Sequence, residues 1–229
     1  MTAILDIDGR AVPVRLRRHG GAKRIILRLD RRGEGVVVTL PNRVPESEGL
    51  AWAEGQRAWI AKHLCNLPVR KLFVDGAVVP LGGAPHVVCH MEGARRGVWA
   101  EDGQIFVSGR PEHLARRLTD WLRDEARRRL NTAVTDATDR LGKAAGRITV
   151  RDTRSRWGSC AANGNLSFSW RLVMAPEYVL EYVAAHEVAH LREAHHGPAF
   201  WRLVDELTSH AKAGRQWLRR HGEGLHFYG

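Results

Sequence analysis

His186 and His190 stand four residues apart in Ala185-His186-Glu187-Val188-Ala189-His190, with Glu187 between them and two more histidines, His195 and His196, close behind. On a helix each residue advances about 100°, so positions four apart lie one turn above each other on one face. That spacing lets His186 and His190 aim two imidazoles at a single ion. Glu187, one step round from His186, can hold a water at the ion without ligating it, so the pattern suits a zinc ion with a carboxylate as general base. His196 is the preferred third ligand and His195 its rival. Ten residues on from His186 is about 1000° of helix, or 280° after whole turns, so a straight helix could not bring His196 to the same face. The chain must bend after Leu191, and Gly197-Pro198 marks the break. Three protein ligands leave a fourth tetrahedral position for water, which is the catalytic rather than the structural pattern.

The elements around this motif have to position it. Pro176 opens the histidine-bearing helix, with Tyr178, Val179, Tyr182, Val183 and Val188 as its apolar positions. Upstream, Leu166, Phe168, Trp170 and Leu172 alternate with Asn165, Ser167, Ser169 and Arg171, a strand with one face in the core. It follows Ile148–Asp152 and a turn at Asn163-Gly164. Its edge could pair with an extended peptide, and an interior place in a sheet is the competing reading. Pro111 starts the longest helix, running to about Leu141, with Leu114, Leu118, Trp121, Leu122, Leu130, Val134, Ala137 and Leu141 at three- and four-residue steps. Phe200, Trp201, Val204 and Leu207 suit a short helix packing under the site, and Trp217-Leu218 suits another.

Residues 1–40 read as four strands, Ala3–Ile7, Val12–Arg17, Arg24–Leu29 and Val36–Leu40, separated by turns at Asp8-Gly9, Gly20-Gly21 and Arg32-Gly33. A helix from Glu46 or Ser47 carries Leu50, Trp52, Ala53, Trp59, Ile60 and Leu64 before Pro68, and the two tryptophans read as core. Short strands return over 71–109, at Lys71–Val74, Val78–Leu81, His86–His90, Gly97–Ala100 and Gln104–Ser108. His86 and His90 there have no further ligand pattern nearby and read as structural or surface residues, and His210, His221 and His226 near the end have no convincing ligand spacing. The expected fold is α+β: an antiparallel β module over 1–110, then a catalytic domain over 111–229 with a long helix, a small sheet and the H-E-x-x-H helix.

At 229 residues, 44% hydrophobic and 27% charged, the chain has the composition of a globular protein and not of a disordered or fibrous one. Its formal charge of +11 makes nucleic acid or an acidic partner a candidate, against the plainer reading of solvated arginine-rich faces. No secretory signal and no apolar run near the ~20 residues of a membrane span is visible. Cys65, Cys89 and Cys160 have no metal-type spacing, and a cytoplasmic location is expected.

Several ordered motifs carry a resemblance. Arg156-Trp157-Gly158-Ser159-Cys160, Gly164-Asn165-Leu166, Trp170-Arg171-Leu172, Ala175-Pro176, Tyr182-Val183, His186-Glu187-x-x-His190-Leu191, His196-Gly197 and Phe200-Trp201 resemble the YgjP-like metal-dependent hydrolases, relatives of SprT-like and other zincin metallopeptidases. The clear match runs from about Ile148 to Trp201. The resemblance implies zinc ligands at His186, His190 and His196 and a catalytic base at Glu187. The family often has Asn before its third histidine, where this chain has His195. Metzincins share the histidine spacing but carry Gly three residues after the second histidine, where Glu193 stands, so that reading is rejected. Arg156, Trp157 and Ser159 are expected to form a tight turn beside the site.

The expected activity is zinc-dependent hydrolysis of peptide bonds in a protein or peptide substrate, through a water activated by Glu187, with Tyr182, Arg156 or His195 stabilising the oxyanion. The alternatives are a zinc hydrolase of non-peptide amides or esters, and a basic nucleic-acid-associated module, which includes a protease of DNA-bound proteins. No membrane partner is expected.

Overall fold

A computed structural model describes residues 2–30, 35–65 and 70–229, which form two compact units, Met1–Arg70 and Lys71–Gly229. The turn expected at Arg32-Gly33 and the helix end expected before Pro68 lie outside the described residues.

The first unit is a four-stranded sheet of β1 (Thr2–Ile7), β2 (Arg10–Arg18), β3 (Ile26–Leu29) and β4 (Val36–Leu40), followed by α1 (Glu46–Glu54) and α2 (Arg57–Cys65). Asp8 and Gly9, both at positive φ, close the β1–β2 hairpin. The strand order is β1-β2-β4-β3, with β2 and β4 parallel. Val12, Val14 and Leu16 of β2 alternate into a core with Val36, Val38 and Leu40 of β4 and Ala53, Ile60 and Leu64 of the helices. Trp52 and Trp59 are not in that core; each is 36% exposed. The expected single helix breaks at Gly55 and Gln56, so the seven-residue spacing does not stay on one face.

The second unit opens with β5 (Val78–Leu81), β6 (Ala84–Met91), β7 (Val98–Glu101) and β8 (Gln104–Ser108), in the order β5-β6-β8-β7. Here too the central pair, β6 and β8, is parallel. The expectation of a purely antiparallel module is therefore corrected: in each sheet the chain crosses over one strand before pairing, and two central strands run the same way. Lys71–Val74 forms no strand, only a single bridge from Lys71 to Tyr228.

Pro111–His113 makes a short 3-10 helix, and α3 (Leu114–Leu141) follows. Leu114, Leu118, Leu122, Ala126, Leu130, Val134, Ala137 and Leu141 are all buried along it, each leucine adding about 2 kcal/mol of apolar burial. Gly142, left-handed at φ 69°, ends the helix. The strands over 78–108 share this core through Val79, Leu81, Val88, Ile105 and Val107. The division between compact units therefore falls at residue 70, before the boundary near residue 110 that the local pattern suggested.

A three-stranded sheet of β9 (Ile148–Arg151), β10 (Gly158–Cys160) and β11 (Leu166–Ser169) follows, in the order β10-β11-β9. β11 is central and offers no edge; the edge strands are β9 and β10. The expected strand ends at Ser169, and Trp170–Met174 forms a second short 3-10 helix with every residue buried. Then come α4 (Glu177–Ala189), α5 (Pro198–Leu207) and α6 (Ala211–Leu225). Buried Arg171 donates to Asp152 and to the carbonyls of Leu225 and Tyr228, so the residues after α6 are packed down. Among the described residues no helix is long and apolar enough to cross a membrane.

Candidate metal centre

α4 is apolar almost all round. Val179, Leu180, Tyr182, Val183, Ala184, Ala185, Val188 and Ala189 are buried, so the helix is an interior rod. Gly214 lets α6 come close to it: a Cβ there would sit 2.6 Å from the Tyr182 Cβ. The helix ends at Ala189, and His190 caps it with backbone still helical (φ −63°, ψ −15°), so the i,i+4 relation of His186 and His190 survives. Leu191, Arg192 and Glu193 turn the chain on hydrogen bonds back to Val188 and Ala189. Lys143 and Arg192 pin that turn to the end of α3, donating to the carbonyls of Leu191 and Leu141. Gly197 then starts α5.

This bend brings His196, itself exposed, to the other two histidines; His195 is exposed as well and stands outside the group. His196 Nε2 lies 3.1 Å from His186 Nε2, and one nitrogen from each of His186, His190 and His196 falls within 4.8 Å of the others. Phe200, fully buried, backs all three rings at 4.5–4.9 Å. Nitrogens bound to one tetrahedral zinc lie about 3.4 Å apart, so the cluster has the scale of a metal site.

The donor chemistry fits as well. Burial, then the charges of His190, His196 and Arg215, lower the His186 pKa from 6.5 to about 4. Burial also lowers His190. Both rings are therefore neutral near neutral pH and offer lone pairs. His190 Nδ1 lies 3.0 Å from the Glu193 carbonyl, so Nδ1–H donates there and Nε2 is left to ligate. His186 Nδ1 is buried with no hydrogen-bond partner among the described residues. Two imidazole nitrogens facing each other at 3.1 Å, with the His190 ring close by, make a cluster suited to sharing a cation.

Glu187 is 6% exposed, and burial raises its carboxyl from 4.5 to about 7. The Arg156 charge and the backbone N–H of Cys160 work the other way. Its neighbour is Gly158 on β10. A Cβ there would stand 2.5 Å from Glu187 Cγ and Oε1, so only glycine leaves room for this carboxylate. The sequence marks Gly158 as part of a motif but not what it makes space for. A cleft of about 480 Å³ runs between the motifs, lined by Arg156, by Gly158, Ser159 and Cys160 of β10, and by His186, Glu187, His190 and His196. Thr153 donates to the Arg156 carbonyl, so the turn lies over 153–156, ahead of where it was expected, and Ser159 belongs to β10. Of the three oxyanion candidates only Arg156 lines this cleft. Tyr182 is buried against α6 beside His186, at 5.9 Å between rings.

A YgjP-like metallopeptidase-domain model matches residues 23–221. The chain belongs to the YgjP-like family. That domain type implies a metal, and the three histidines could hold one. The chain also aligns with the crystal structure of the metallopeptidase zymogen of Pyrococcus abyssi abylysin, at 20% identity and a TM-score of 0.36, over 40% of this chain and 93% of that one. No curated protein matches it. The family match takes in the second sheet and α3, well beyond the stretch from Ile148 to Trp201 where the sequence motifs are dense.

Proposed function

We propose that the chain is a zinc peptidase in which His186, His190 and His196 hold the ion and Glu187 is the general base. The observation that carries this reading is the meeting of three imidazoles with one buried carboxylate in an open cleft. Zinc in such a site acts as a Lewis acid and makes water more acidic. Glu187 takes the proton of the attacking water and passes it to the leaving amine. A carboxyl whose affinity for protons is raised by burial can both receive and return a proton near neutral pH. The Cys160 N–H orients it, and Gly158 gives it room. Arg156, in the same cleft, is the cation placed to stabilise the oxyanion. The outer edge of β10 offers backbone groups to an extended substrate.

The test pairs two variants. His190→Ala should lose the zinc that the parent holds at about one per chain. Glu187→Gln should keep the zinc and lose about a thousandfold in peptide turnover. Undiminished hydrolysis by Glu187→Gln sinks the mechanism; a zinc content unchanged in His190→Ala sinks the site.

Association with nucleic acid is a second reading. Residues 1–70 carry 13 Lys+Arg against 7 Asp+Glu, and Trp52 and Trp59 are exposed there. Binding that weakens steeply with salt would support it, and no DNA binding at low salt would remove it.

A further inference from the structure

Two helices carry rows of cations, and the rows differ in their partners. On α3, Arg116 and Arg123 lie 3.3 and 3.9 Å from Asp120, and Arg127 lies 2.7 Å from Asp124. Arg128 and Arg129 share Glu125. On α6, Lys212, Arg215 and Arg219 follow at three- and four-residue steps and so share a face. Among the described residues none of these three has a carboxylate within ion-pair distance. Among the described residues Glu223, one turn beyond Arg219, forms no such pair either.

The three cations line a cavity of about 370 Å³ together with Gln216 and with Trp201 and Asp205 of α5. Trp201 joins this cavity to the histidine cluster. Its ring stacks on His196 at 5.8 Å, lies 5.8 Å from His186, and carries the Arg215 guanidinium 4.9 Å over its face. Arg215 is thus held one side chain away from the place where the histidines converge. Asp205 sets one negative group against three positive ones, so the cavity keeps an excess of positive charge. Placing that excess beside a site that gathers a cation is unfavourable until an anion shares the space.

We propose that the cavity between α5 and α6 is a substrate subsite for a carboxylate, and that the enzyme selects peptides with an acidic group near the scissile bond. This rests on the peptidase reading above. Arg215 is the central donor, since a guanidinium presents paired N–H groups that match a carboxylate, with Lys212 and Arg219 flanking it. The Trp201 ring gives the methylene stem of the acidic residue an apolar wall. The carboxylate comes either from a Glu or Asp side chain or from the peptide's own C-terminus.

Binding to zinc-loaded Glu187→Gln protein reads the subsite without turnover. The probes are labelled neutral peptides through which a Glu is walked position by position against Gln, each with a free or an amidated C-terminus. Fluorescence anisotropy should show one Glu position, or the free terminus, binding on the order of fivefold more tightly than its neutral counterpart. That ratio should fall to about one in K212Q/R215Q/R219Q on the same background. It should survive in R116Q/R123Q/R127Q, which removes the same charge from α3. No measurable peptide binding, a ratio near one at every position, or an equal fall in both triple variants overturns the proposal. Displacement of the peptide by a single-stranded oligonucleotide, without any Glu preference, overturns it in favour of phosphate. Cleavage of the same peptides by the unsubstituted protein reports separately on the peptidase reading: a binding preference without cleavage would refute the reaction and leave the subsite standing.

Discussion

The two four-stranded sheets follow one plan. Each runs hairpin, crossover, hairpin, with antiparallel outer pairs around a parallel centre, as β1-β2-β4-β3 and as β5-β6-β8-β7. They differ in what they cover. The first closes a core with α1 and α2. The second has no core apart, because its inner face merges with α3 and α4. Their first turns differ in the same sense. At Gly9 an added Cβ would meet nothing within 4 Å, whereas at Gly83 it would stand 2.8 Å from Pro176, the residue that opens α4. The N–H groups of Gly82 and Gly83 donate to Val173 and Met174, just ahead of that helix. Strand order alone therefore says nothing about chemistry; where a turn and a face come to rest decides which sheet supports the metal centre.

The largest effects that can break this comparison come from the two cores. Leu40→Ala and Ile105→Ala each remove a fully buried side chain, at about 2–5 kcal/mol apiece. Ile105→Ala should weaken zinc binding in a competition titration and Leu40→Ala should not. An equal loss of affinity in both would end the contrast between the two four-stranded sheets.

Next in size is a pH effect, measured by urea unfolding in chelator. The Glu187 carboxyl is raised by burial from 4.5 to about 7, so the folded state holds its proton more tightly than the unfolded chain. Stability from this group is full below pH 4.5 and is lost as pH rises through about 7, a fall of about 3 kcal/mol. His186 runs the other way: lowered from 6.5 to about 4, it contributes above pH 6.5 and loses that contribution as pH falls through about 4. Glu187→Gln removes only the first slope. The variant should therefore gain about 3 kcal/mol on its parent between pH 4.5 and pH 8, all of it in the unfolding of the second unit. A difference that does not change with pH refutes the raised carboxyl.

The smallest contrast lies in the turns. Gly9→Ala meets only the strain of its positive φ, about 1 kcal/mol. Gly83→Ala adds a collision with Pro176 and should cost about twice that, with hydrogen exchange quickening in the first turn of α4. Matching costs with α4 unaffected would show that the second turn is as free as the first.

These contrasts also explain what was legible in advance. His186, Glu187 and His190 belong to one helical turn, so their relation is local and can be read by counting. The bend that selects His196 is signalled by Gly197-Pro198, but the hydrogen bonds of Lys143 and Arg192 that hold it come from remote sequence. The alternation of residues 165–172 locates a strand; that β11 lies between two neighbours depends on pairing the pattern does not encode. Trp52 and Trp59 mislead because a break at Gly55 resets the helical phase. Gly158 is the sharpest case, since its purpose is a gap that appears only when β10 meets α4.

The two halves of the histidine cluster differ in how far they are assembled beforehand. His186 and His190 ride on a buried helix, while His196 arrives on an exposed bend tied by two hydrogen bonds to the end of α3. If the cluster takes up an ion, two of its donors are held in advance by the helix and the third rides on the bend. Loosening that bend by Arg192→Ala or Lys143→Ala is therefore expected to speed the transfer of a bound ion to a chelator, while α4 stays folded.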